Sequence, residues 1–295
     1  MQVDSVAAFH RLKALKPPSR LYHYTDRKGL VGILESGTIR ASAARYLNDA
    51  QELSVAFEVA RQLLGEKGPA STPEMDKLHF RIREQLQGRE TDFDSFVFST
   101  SADGGDVLSQ WRGYSDAGNG YALGIEGPSL VKTLSEAGVL FILAPCEYDE
   151  EPQRALIGDI IADAEQALHK AIQDGKATDT AIYEGTAHFL IGFTIAAPIV
   201  KHRAFREEKE WRLIFPFSSL GDPDVWFRDA GRLLVPFKKV SLKGKTSRKT
   251  SIVEVVVGPT PYGFHFESRA VKALLSRTDA AGDNVRMSDI PYRDW

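Results

Sequence analysis

The 295-residue chain reads as an α+β protein, a single domain whose sheet is interrupted by helical insertions. Three observations carry this reading. Short runs with strand alternation stand near the start, in the middle and through the last third. Between them, residues 151–173 and 180–197 have helical character. No internal repeat, low-complexity run or Pro/Gly-rich linker divides the chain.

Taken in order, Val6, Phe9, Leu12 and Leu15 recur at helical spacing, which predicts a helix over residues 4–15, stopped by Pro17-Pro18. Residues 1–19 are therefore set apart as an N-terminal helix, and residues 20–295 form the α+β domain. Leu21 to Thr25 reads as a short aromatic strand. Asp26 is placed to cap a helix that buries Leu30, Ile33 and Leu34 and closes at Gly37. Thr38 to Ser42 returns as a second strand. Asn48 and Gln51 resemble a capping box ahead of Leu53, Ala56, Phe57, Ala60, Leu63 and Leu64, the clearest amphipathic helix in the chain. A second helix is expected over residues 73–87, with Gly65 to Thr72 as a loop between the two. Phe96 and Phe98, then Tyr121, Leu123 and Ile125, alternate as strands do, and Val139 to Tyr148 is read as a further strand. The last third predicts strands at 210–215, 225–228, 231–237 and 252–257. A helix at 264–276 follows, built on Phe266, Val271, Leu274 and Leu275.

Composition narrows the function classes. Apolar residues at 43% and charged residues at 26% are ordinary for a soluble globular chain. A formal net charge of −3 with a pI near 6.2 excludes a generally basic surface, so any nucleic acid would have to meet a local patch. Cys146 is the only cysteine, which excludes an internal disulfide and a cysteine-built zinc site and fits a reducing, cytoplasmic setting. No secretory h-region opens the chain and no stretch approaches the ~20 apolar residues that span a bilayer.

Several residues could carry chemistry. His23 sits in Tyr22-His23-Tyr24-Thr25, a strand end ahead of a helix, where backbone groups and polar tips converge. It is either a half-buried histidine bonded to backbone or a ligand contact. Arg40, on a strand, calls for a carboxylate or phosphate partner if it faces inward. Near it, Asn48 or Asp49 is placed to cap the long helix with Glu52 in its first turn, which accounts for at least one of Ser42, Asn48, Asp49 and Glu52. Ser109-Gln110-Trp111-Arg112-Gly113-Tyr114 offers flat rings, a forked donor and an amide, flanked by the glycine-rich runs 103–105 and 116–120. Trp111 is either a core anchor of a short helix or a ligand contact. In the run from Lys201 to Arg212, most charges, Glu207 and Glu208 among them, read as solvated surface. Glu210 differs because Trp211, Leu213 and Phe215 follow it. Glu210 and Arg212 share a strand face, either as a binding wall or as a pair with each other. The late basic run from Lys238 to Lys249, around Gly244, is either a phosphate contact or, more simply, a solvated strand-to-strand loop. No spacing indicates a metal site, a Walker loop or a serine-nucleophile elbow.

The set Tyr22-His23-Tyr24-Thr25, Leu47-Asn48-Asp49, Gln110-Trp111-Arg112-Gly113-Tyr114, Lys201-His202 and Glu210-Trp211-Arg212 resembles a widespread bacterial family of unknown function over roughly residues 20–260. The chain also resembles ADP-ribosyltransferase-fold toxins, especially the DNA-modifying class. The likeness lies in the opening strand with His23, the helix ending at Gly37, and Glu210 at the start of a late apolar strand. That resemblance implies a central, mostly antiparallel, split sheet and NAD as substrate, with no metal. It implies His23 and Tyr24 on the NAD, Glu210 as the catalytic carboxylate beside the nicotinamide ribose, and Arg40 or Arg112 on the pyrophosphate. Tyr46, Trp111 and Tyr114 compete for the aromatic position. The implied role is a toxin or anti-phage effector acting on nucleic acid or protein, with an antitoxin or defence-system partner and no membrane. NAD hydrolysis, a non-catalytic nucleotide-binding module and a nuclease are the alternatives.

Overall fold

The computed structural model describes residues 7–47, 53–87, 95–115, 120–231, 233–244, 248–259 and 264–291. Its elements run α1 (Ala7–Lys13), β1 (Arg20–Thr25), α2 (Arg27–Ser36), β2 (Thr38–Ala43), α3 (Ser54–Glu66), α4 (Pro73–Leu86), β3 (Phe96–Ser101), α5 (Leu108–Tyr114), β4 (Tyr121–Glu126) and α6 (Gly127–Glu136). They continue with β5 (Ile142–Pro145), α7 (Glu150–Gln173), α8 (Thr178–Ala196), β6 (Glu210–Phe215), β7 (Val225–Asp229), β8 (Leu234–Ser241), β9 (Ile252–Val257), α9 (Phe264–Leu275) and β10 (Asn284–Met287). The expected capping pair Asn48 and Gln51, with Asp49 and Glu52, lies outside the described residues.

The strands form one large, open sheet in the order β10-β9-β4-β1-β3-β2-β8-β7, with β6 on β3 and β5 on β6. Every pairing is antiparallel except β9 with β10. Three strands compete for β3. β6 follows its whole length, from Phe96↔Phe215 to Ser101↔Glu210. On the other edge, β1 meets it only at Tyr22↔Ser101, and β2 only at Ser42↔Val97 and Ala43↔Phe96. Phe98, Ser99 and Thr100 are left with no strand on that edge, so the sheet opens between β1 and β2.

Both faces are covered. On the first face, α1, α3, α4, α7 and α8 pack Phe57, Leu78, Ile160 and Phe189 against Val97, Ile142 and Ile214 of the sheet. On the second, Leu30 and Leu34 of α2, Leu130 of α6 and Val271 of α9 cover Leu21, Ile39, Phe98 and Leu213. α2 forms where the sequence placed it: Asp26 accepts a hydrogen bond from the Gly29 amide, and Gly37 closes the helix in the left-handed region at φ 65°. Because α2 joins β1 to β2, it underlies the opening between them.

Several boundaries differ from the sequence reading. The strand expected over Val139–Tyr148 is only Ile142–Pro145, since α6 ends at Glu136 and the chain turns through Gly138 at φ 73°. α5, α6 and β10 carry no long periodic pattern and were not expected as elements, apart from α5 as the setting of a Trp111 anchor. The face of β6 that was to be an open wall is itself core: Ile214 lies in the helical layer and Arg212 is 1% exposed.

Candidate functional site

The opening between β1 and β2 is a cleft of about 1940 Å³. Its lining includes His23, Tyr24, Arg40, Tyr46, Tyr114 and Glu210, together with Gly29, Gly32 and Ile33 of α2 and Phe98 to Ser101 of the uncovered edge. Pockets for small molecules are usually ~300–1,000 Å³, so this one has room for more than a dinucleotide. No helix among the described residues is long and apolar enough to cross a membrane, and none of their acidic, histidine or cysteine clusters could hold a metal.

His23 fills the gap in the ladder. Its Nδ1 lies 2.9 Å from the Ser99 carbonyl, which can only accept, so Nδ1 carries the proton and Nε2 is the acceptor of the neutral ring. Burial pushes the imidazole below its ordinary pKa, against the opposing pull of the Ser99 carbonyl, and keeps it neutral at pH 7. The ring rests on Phe98 with centroids 4.3 Å apart. No described group bonds Nε2.

Across the cleft stands a cluster of four charges. Glu210, 6% exposed, receives Arg212 Nε on Oε1 at 2.8 Å, and on Oε2 both Arg212 Nη2 at 3.0 Å and Lys201 Nζ at 2.6 Å. The Cys146 thiol lies 3.7 Å from Oε2. Burial works to raise the Glu210 carboxyl, but Arg212 and Lys201 outweigh it and hold the group down at about 2. Lys201 keeps its proton: burial opposes the charge, yet Glu210 and Glu208 raise it above the ordinary ammonium value. Lys201 also donates to Glu208 at 2.6 Å, and Glu208 accepts from the Tyr114 hydroxyl at 3.1 Å. Lys209, at φ 42°, turns the chain through the left-handed region. That turn brings the carboxylates of Glu208 and Glu210 onto one ammonium.

These positions revise the expectations. Lys201 and Glu208 are not solvated: Lys201 is 4% exposed and Glu208 16%, because they neutralise each other inside the rim. Glu207 is exposed, as read. Glu210 and Arg212 pair with each other, with Lys201 as a third member. The register also places His23 and Glu210 on opposite faces of the β1-β3-β6 ladder, since Tyr22, Ser101 and Glu210 align and His23 is the next residue. They line the same cleft only because it passes through the split, His23 on the α2 side and Glu210 on the helical-layer side.

Trp111 is a core anchor. It is wholly buried, donates Nε1 to Asp106 at 2.8 Å and packs edge-on against Tyr24, while the Tyr24 hydroxyl bonds Asp103 at 3.0 Å. Arg112 does not line the cleft; it lies exposed on a shallow depression with Ser109 and Glu207 that adjoins the cleft at Gly113. The aromatics that reach the cleft are Tyr46 and Tyr114. Arg40 is exposed on the first face, its guanidinium 5.1 Å from the Phe237 ring, with no carboxylate partner among the described residues. Glu208 and Lys201 were missed because their burial depends on the turn at Lys209 and on the last turn of the helical layer. The only local signal was two glutamates flanking one residue.

A family model described as a protein of unknown function (DUF2971) matches residues 110–213. The match spans α5 to β6 and holds Tyr114, Lys201, Glu208, Glu210 and Arg212, but neither His23 nor Arg40. It is narrower than the motif resemblance over residues 20–260. No curated protein and no solved structure matches the chain.

Proposed function

We propose that the cleft binds NAD and cleaves its nicotinamide–ribose bond, as an ADP-ribosyltransferase-like enzyme does. The observation that carries this is the split at the free edge of β3, with a neutral histidine on one side and a paired-glutamate wall on the other. Among the described residues nothing bonds Nε2 of His23, which can accept from a ribose hydroxyl, and none is a counter-ion of Arg40, which suits a pyrophosphate. Tyr114, held by Glu208, offers a ring edge for the departing nicotinamide.

The chemistry requires no further reagent. The bond between the nicotinamide nitrogen and the anomeric carbon breaks, and its electron pair leaves with the ring, which becomes neutral. The ribose carbon passes through an oxocarbenium-like state. An acceptor lone pair then bonds that carbon, and the acceptor's proton passes to a rim carboxylate or to water. Glu208, the less buried carboxylate, faces the developing cation. Glu210 is the fixed anion behind it, holding Lys201 and through it Glu208. Fixed charge of this kind is worth ~10²–10³ in rate. Water as acceptor gives NAD hydrolysis; a nucleic acid or a protein gives transfer. The toxin or defence role rests on the resemblance alone.

A second reading has an observation of its own. Lys201 and Arg212 neutralise Glu208 and Glu210, which favours a nucleotide-binding module without turnover. Incubation with NAD labelled in its adenosine half and bacterial lysate, followed by separate recovery of DNA, RNA and protein, decides among these. Label in a polymer fraction supports transfer, and free ADP-ribose supports hydrolysis. Intact NAD that is nonetheless bound supports the module, and NAD neither bound nor cleaved refutes both.

A further inference from the structure

We propose that the strand face formed by β2, β8 and β7 beside the cleft binds a single-stranded nucleic acid. The register fixes which side chains share that face. Arg40 stands opposite Lys239, Phe237 stands between Ser42 and Trp226, and Arg228 follows two residues after Trp226. Ser42 is opposite Val97, which is opposite Ile214, so this row lies on the same face as Arg212 and Glu210.

Arg40, Lys239 and Arg228 all line the cleft, and none has an ion pair or hydrogen bond with a described residue. Two of them rest on rings instead: Arg40 on Phe237 at 5.1 Å, and Lys239 over Trp226 at 3.5 Å. The neighbouring Lys238, on the opposite face, shows the contrast, because Asp224 holds it at 2.9 Å. Asp229, the nearest acid in sequence, is engaged by the Gly231 amide at 2.7 Å. In a chain of net charge −3, three unpaired cations in one row form a local anion-binding surface. Trp226 adds a ring that is 51% exposed. Unpaired cations beside an exposed indole match a phosphate backbone with unstacked bases. The cleft's volume beyond the needs of a dinucleotide leaves space for one strand.

If the NAD reading holds, Arg40 goes to the pyrophosphate, and Lys239, Arg228 and Trp226 hold this strand as the acceptor. The binding itself does not depend on that reading and is tested without NAD. Fluorescence anisotropy of the full chain is measured with labelled single-stranded DNA, single-stranded RNA, a DNA duplex and a poly-glutamate peptide across a salt series. A single strand is expected to bind best, and Lys239→Glu with Arg228→Glu should reduce the log–log salt slope by ~1.4. Trp226→Ala should weaken binding roughly 5- to 150-fold with an unchanged melt, because the ring is surface-exposed. Comparison of the DNA and RNA arms separates the two sources of the same chemistry. Preference for the peptide would assign the face to an acidic protein, and preference for the duplex, or binding that survives all three substitutions, would also overturn the proposal. Strand binding without NAD cleavage would refute only the enzymatic reading, and NAD cleavage without strand binding would refute only this one.

Discussion

Glu210→Gln removes one negative charge from a buried cluster that contains Lys201 and Arg212. Gln keeps the shape but withdraws the carboxylate charge that both Lys201 and Arg212 contact. Two estimates of the cost agree. Removing one partner of a buried ion pair typically costs ~3–5 kcal/mol. A carboxyl held at about 2 in the folded chain, against an ordinary 4.5, contributes about 3 kcal/mol at neutral pH. The sign follows from the lowered value: this stability is complete above about pH 4.5 and is lost as pH falls toward 2. Thermal melts at neutral pH should therefore drop by roughly 5–10 °C in Glu210→Gln. The acid limb of its stability curve should also be flatter than that of the wild type. A double-mutant cycle with Lys201→Met should show coupling of at least ~1 kcal/mol. A variant with an unchanged melt and an unchanged acid limb would refute the buried-cluster reasoning.

Glu208→Gln probes the rim carboxylate and should reduce NAD cleavage ~10²-fold or more with a smaller change in melting than Glu210→Gln, whereas Glu207→Gln should change neither; steady-state nicotinamide release with parallel melts checks this. His23→Gln should weaken NAD binding by titration calorimetry. Because burial lowers its pKa, the folded chain resists a proton that the unfolded chain accepts below about 6.5, so as pH falls through 6.5 the wild type should lose stability that His23→Gln does not lose. Lys209→Gly should raise stability by up to about 1 kcal/mol by relieving the left-handed backbone, and Lys209→Val should lower it by ~1–2 kcal/mol, both read by denaturant titration.

What the sequence made legible was local. Asp26 and Gly37 bound α2 because caps are chemistry at single positions, and the strand at Glu210–Phe215 follows from its own alternation. The cleft's aromatics were not separable by composition: Trp111, Tyr114 and Tyr46 look alike until α5 turns the indole inward to Asp106 and leaves the Tyr114 hydroxyl on Glu208. β10 pairs with β9 in parallel through Asn284-Val285-Arg286-Met287, whose polar–apolar alternation is only four residues long, and Asn284 bonds Glu254 at 2.6 Å. The burial of Lys201 could not be read either, because the carboxylates that neutralise it flank a left-handed turn that brings them together. The opening between β1 and β2 is a property of three strands competing for β3, and no single segment encodes it.

The most direct test of the central claim is nicotinamide release from NAD by the purified wild-type chain, measured by chromatography with and without single-stranded DNA, single-stranded RNA and a protein lysate. The account predicts release that depends on Glu208 and His23, accelerated by the acceptor that the β2–β8–β7 face binds. Intact NAD in every mixture, from a chain that melts cooperatively, would contradict it.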